Sequence, residues 1–103
     1  MKLVEFTVTS PDTYSNHADF TAAYFTMFDF DDYTALCNRL QAEDKLLYKT
    51  WTFEAPSMFK GVYLFADQAA VNEYWSDPVN DNPAYDAAMS AAGFELSTQS
   101  SEV

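Results

Sequence analysis

Among side chains able to do acid–base, nucleophilic or metal chemistry, the sequence of 103 residues holds one histidine, His17, and one cysteine, Cys37. His17 lies between Asn16 and Ala18 in a polar stretch. A general base there needs a loop that brings it within hydrogen-bond reach of substrate, and plain solvent exposure is the simpler expectation. Cys37 shares i, i+3, i+4 and i+7 spacing with Tyr33, Leu36 and Leu40, which reads as a small core residue on an apolar helix stripe. A lone thiol forms neither an internal disulfide nor a cysteine zinc site. Two oxygen-rich runs, Asp29-x-Asp31-Asp32 and Asp77 with Asn80, Asp81 and Asn82, lack the EF-hand spacing and its glycine. Helix capping accounts for the first and a helix-interrupting turn for the second, so no metal site is expected. Phosphate-loop, dinucleotide and G-x-S-x-G patterns are absent.

Aromatic residues are the abundant class: nine Phe, seven Tyr and two Trp, 17% of the chain. Trp51, Tyr63, Phe65, Tyr48, Tyr24 and Trp75 fall on expected strands and helices. One reading makes them core and dimer interface. The other makes them a pocket between sheet and helices, where flat side chains hold a planar ligand and a Tyr or Trp orients it.

Charge excludes several classes. Sixteen acidic residues against five basic ones give a net charge of −11, with seven acids and no base after Lys60. That field repels phosphate backbones and anionic membranes, and no basic cluster offsets it. An acidic surface that aids solubility is the plain explanation, and an acidic mimic of nucleic acid is the minor alternative. No apolar run reaches the roughly 20 residues of a spanning helix. The opening Met1-Lys2-Leu3-Val4-Glu5 is no signal peptide, so a cytoplasmic location is the default.

These residues need elements to position them. Val4, Phe6 and Val8 alternate with Glu5, Thr7 and Thr9, which predicts a half-exposed strand over 3–9. The apolar, aromatic run over 20–30 predicts a strand buried on both faces. The Tyr33–Leu40 stripe predicts a helix over 32–43. Strands follow over 45–54 and 60–66, separated by Pro56-Ser57 and close enough to form an antiparallel hairpin. Asp67 caps a helix over 67–92, broken around Pro78, with Gly93 at its C-terminal end, and a last strand covers 94–99. From residue 20 the order is β-α-β-β-α-β: an α+β, ferredoxin-like antiparallel sheet with an extra N-terminal strand. The length suits a single domain over 1–103.

At Lys49-Thr50-Trp51-Thr52 and Gly61-Val62-Tyr63-Leu64-Phe65-Ala66-Asp67 the sequence resembles the YdhR-like monooxygenases of the dimeric α+β barrel superfamily. The similarity spans roughly 24–75. Lys60 stands where that family has the first of two glycines, and the first eighteen residues have no obvious counterpart. The resemblance implies a small cofactor-free monooxygenase, needing neither metal nor flavin, acting on a planar aromatic or quinol-like molecule. The substrate anion itself activates oxygen in such enzymes, so the protein supplies a dry pocket and hydrogen-bond donors. Tyr63, Trp51, Trp75 and Asn72 are the donors this suggests, and Tyr24, Tyr48 and Phe65 join them as substrate contacts. Haem degradation, also found in the superfamily, wants a second-helix histidine that 67–92 lacks. The alternative is a non-catalytic dimeric module binding a small ligand or a protein. Either reading expects a homodimer, because Val62 and Leu64 point away from Tyr63 and Phe65. Pairing the second sheet face with a second copy would bury that apolar surface.

Overall fold

The computed structural model describes residues 1–27 and 29–103. The elements are β1 (Lys2–Thr9), α1 (His17–Tyr24), α2 (Phe30–Ala42), β2 (Leu46–Ala55), β3 (Met58–Phe65), α3 (Gln68–Ser76), α4 (Pro83–Ala91) and β4 (Glu95–Glu102). Four strands form one antiparallel sheet in the order β2-β3-β1-β4. The architecture is α+β and ferredoxin-like.

Two expectations are corrected. The run 20–30 is no strand: helix α1 occupies its first half, and Phe28 lies outside the described residues. Asn16 caps α1 by accepting the Asp19 N–H at 2.9 Å, and its side-chain amide donates back to the Asp19 carboxylate at 3.3 Å. Phe20 and Tyr24, one turn apart, then bury against the sheet. Consequently the N-terminal strand is no addition. It is the first strand of the β-α-β-β-α-β plan, sits between β3 and β4, and the two helical connections of that plan each hold two consecutive helices.

The remaining elements follow the sequence pattern. Asp29 caps α2 by accepting the Asp32 N–H at 3.0 Å, and Tyr33, Leu36, Cys37 and Leu40 form its buried stripe. Asp67 caps α3 through the Ala70 N–H at 2.8 Å. The oxygen-rich run before α4 is a turn, with Asp77 accepting from Val79 and Asn82 from Ala84, both at 3.0 Å. Pro56-Ser57 turns the β2–β3 hairpin.

Register fixes what each face presents. Towards the helices, Lys49, Tyr63 and Val4 align across β2, β3 and β1; so do Trp51, Gly61 and Phe6, and Phe53, Phe59 and Val8. The opposite, open face carries Tyr48, Leu64 and Leu3 in one row and Thr50, Val62 and Glu5 in the next. It is therefore mixed in polarity, less apolar than expected, with Lys60 and Thr7 in the third row. Under the helices the core falls into two clusters, one around Phe6, Tyr33, Tyr63 and Tyr74, the other around Val8, Phe20, Tyr24 and Phe59. Trp51 packs against both. Among the described residues no helix is long and apolar enough to cross a membrane.

Candidate functional site

The site grows from one backbone gap. Gly61 lacks a side chain, so the Trp51 indole of the neighbouring strand lies flat across β3, and a Cβ at 61 would come within 2.7 Å of three ring carbons. The indole stacks on Phe59 at 4.4 Å between centroids and 6° between planes. Its Nε1–H donates to the Tyr63 hydroxyl at 2.8 Å. Tyr63 Oη in turn bonds Tyr33 Oη, and Tyr33 Oη bonds Tyr74 Oη at 2.8 Å. One indole and three phenols, from β2, β3, α2 and α3, thus form a continuous hydrogen-bonded string.

Burial sets the chemistry of that string. Desolvation pushes the Tyr63, Tyr33 and Tyr74 phenols above their ordinary range, and pushes Tyr24 up to about 12. At neutral pH all four are protonated, so they serve as hydrogen-bond donors and not as bases. Burial likewise raises the Cys37 thiol, which keeps it a core residue beside Tyr33.

Two spaces flank this cluster. A small cavity of about 90 Å³ is lined by Phe6, Tyr24, Trp75, Tyr85 and Met89, with Asn80 and Asp86 as its polar members. A groove of about 490 Å³, almost wholly apolar, runs between α1 and β2 past Ala18, Ala22, Phe30 and Phe59. Phe25, Tyr33 and Trp51 line both spaces and form their common wall. A cavity of about 150 Å³ is known to hold benzene, and a liquid water occupies about 30 Å³. The small cavity is therefore sized for dioxygen or a few waters, while the groove falls in the roughly 300–1,000 Å³ range of small-molecule sites.

Trp51 and Tyr63 are brought together, and Tyr24 and Trp75 join Trp51 around the small cavity. Phe65 is fully buried beneath Tyr63 and Tyr74 and lines neither space. Tyr48 stands on the open face, 56% exposed, away from both spaces. Asn72 is exposed on α3 and accepts from Gln68 at 2.9 Å. His17 opens α1 with its ring 4.6 Å from that of Phe59, at the end of the groove. Tyr33 and Tyr74 were missed as site residues because each sits on an apolar helix stripe. The available signal was their hydroxyls, since a buried phenol must find a partner.

No family model matches the sequence, and no curated protein matches it. Solved structures do. A candidate antibiotic biosynthesis monooxygenase from Deinococcus radiodurans superposes with a TM-score of 0.66 at 15% identity, covering 100% of this chain and 92% of its own. SnoaB, a cofactor-independent oxygenase from Streptomyces nogalater, gives 0.64 at 10% identity, over 99% and 91%. A dimeric ferredoxin-like protein from an uncultured marine organism gives 0.58 at 14%, over 99% and 94%. The structural neighbours are ferredoxin-like proteins of the antibiotic-biosynthesis-monooxygenase type. At these identities the likeness establishes the fold.

Proposed function

We propose that the chain is a cofactor-independent monooxygenase for a planar, electron-rich aromatic of the quinol or anthrone type. The supporting observation is the wall of Trp51, Tyr33 and Phe25 between a ring-sized groove and a dioxygen-sized cavity. SnoaB, a neighbour of the same fold, is a cofactor-independent oxygenase. In this reading the ring system lies in the groove against the wall, and the Tyr33 hydroxyl, the phenol of the string that lines the groove, holds the oxygen anion that the substrate forms on losing a proton to water. That anion gives one electron to dioxygen, the two radicals join as a peroxide, and loss of water leaves a carbonyl. For an anthrone the balance is CH₂ plus O₂ giving C=O plus H₂O; for a quinol with a free ring C–H it is quinol plus O₂ giving the hydroxyquinone plus H₂O. Preorganised donors act where charge develops.

Oxygen-electrode assays with anthrone and with menadiol test this, the uncatalysed rate being subtracted. Uptake of one O₂ per anthrone is expected, with Tyr63→Phe slower by about tenfold, because the Tyr33 hydroxyl at the groove loses the buried partner that orients it. If neither substrate is consumed above background, the enzyme reading falls and a non-catalytic ligand-binding module takes its place.

We further infer that residues 1–103 form one domain that pairs with a second copy through the open sheet faces. The row of Tyr48, Leu64 and Leu3, continued by Val62, supplies apolar surface for that contact, and a neighbour of the same fold is dimeric. The pair would carry about −22, twice the −11 of one chain, which salt screens beyond about 10 Å at 0.1 M. Light scattering after size exclusion at moderate salt should give twice the 11.7 kDa chain mass. A single-chain mass overturns the paired-sheet arrangement.

A further inference from the structure

We propose that the groove between α1 and β2 takes a planar aromatic carrying one acid group, with the Lys49 ammonium as its counter-charge. That this molecule is the substrate rests on the monooxygenase reading; that it binds does not.

The case begins with the basic residues. Five face sixteen acids. Lys2 pairs with Glu102 at 2.8 Å. Arg39 and Lys45 share Glu43 and Glu73 at 2.7–3.5 Å, tying α2 to α3. Lys60 also makes no ion pair among the described residues, but it belongs to the open sheet face, where it shares a surface hollow with Glu5. Lys49 faces the helices, half-buried, with no carboxylate within ion-pair distance among the described residues. Its Nζ lies 5.9 Å from the centre of the Tyr33 ring, near enough to Cys37 to offset part of the upward push of burial on that thiol.

A partly desolvated cation without an anion is costly, and in so acidic a chain a carboxylate partner would be the ordinary arrangement. Lys49 instead lines a groove whose walls are chiefly apolar and aromatic, Phe25, Phe30, Tyr33 and Trp51 among them, with the imidazole of His17 packed on Phe59 at its far end. The stacked Trp51–Phe59 pair offers a flat surface. The Thr21 hydroxyl in the groove is spent on the carbonyls of His17 and Ala18, at 2.9 and 3.1 Å. One flat apolar floor and one cation specify one flat apolar body and one negative charge. A di- or triphosphate would bring charges that the groove has nothing to meet.

Isothermal titration with anthraquinone-2-carboxylate and its neutral analogue anthraquinone-2-carboxamide tests the assignment. The wild type should bind the carboxylate about tenfold or more tightly than the amide, the scale of a charge-assisted contact. Lys49→Gln should bring the two within about twofold, and Lys49→Arg should keep the preference, because a guanidinium still pairs with a carboxylate. Equal binding by the wild type, binding of neither probe, or a preference that survives Lys49→Gln overturns the proposal. The wild-type comparison requires no variant to fold. Oxygen uptake with neutral anthrone separates the two readings. Uptake without carboxylate preference removes this proposal alone, and preference without uptake removes the monooxygenase reading alone.

Discussion

Trp51→Ala should lower the unfolding free energy by about 2–4 kcal/mol, somewhat under the usual cost for a fully buried Trp because the indole is partly exposed. For a chain of this size that is a fall in Tm of roughly 10 °C or more. Three losses combine: the stack on Phe59, the packing on Phe6 at 5.7 Å between ring centres, and the hydrogen bond to Tyr63. Oxygen uptake should fall by more than the tenfold expected of Tyr63→Phe, since the wall between groove and cavity goes with the donor. Trp51→Phe restores a ring without the N–H, so it should recover most stability while keeping a catalytic deficit. Urea unfolding and calorimetry on the two variants check this. An alanine variant as stable and as active as the wild type would remove Trp51 from the site.

Alkaline pH should unfold the protein through its tyrosines. In the unfolded chain a phenol titrates near pH 10, whereas in the fold burial holds Tyr24 up to about 12 and raises Tyr33, Tyr63 and Tyr74 as well. A raised folded value means the stabilisation is complete below pH 10 and drains away as pH climbs towards the folded value. For Tyr24 alone the loss by pH 12 is about 2 kcal/mol, at 1.36 kcal/mol per unit. Four such phenols, three hydrogen-bonded and the fourth close enough to feel their charge, should make the transition steep. Tyrosinate absorbance near 295 nm and circular dichroism, followed from pH 8 to 12, should show the buried phenols ionising together with loss of structure. Four phenols titrating near pH 10 in an intact fold would contradict the buried string.

What the sequence revealed follows from how local each signal is. Asp29 and Asp67 announced α2 and α3 because a cap and an apolar stripe lie within a few residues of each other. The β2–β3 hairpin was legible from Pro56-Ser57 for the same reason. The run 20–30 misled because its aromatic content mimics strand preference; what decides for a helix is the Asn16–Asp19 cap and the docking of Phe20 on a sheet assembled from distant residues. That error displaced β1 from the sheet centre to the margin. At the site, Trp51 and Tyr63 were found through the hairpin that carries them. Tyr33 and Tyr74 were not, because their partners lie 30 and 41 residues away. Tyr48 was grouped with Trp51 by residue type alone; the odd spacing of 48 and 51 along β2 puts the two on opposite faces.

The missing side chain at Gly61 gives the protein a way to rescale its interior from below. The indole rests directly on backbone there, so even a methyl group at 61 would lift the ring off the strand. Because that ring partitions two compartments, space lost on one side is gained on the other. The ratio between a gas-sized chamber and a ring-sized one is thus governed by a residue that lines neither. The two volumes can shift through that single position while the inventory of lining side chains stays constant.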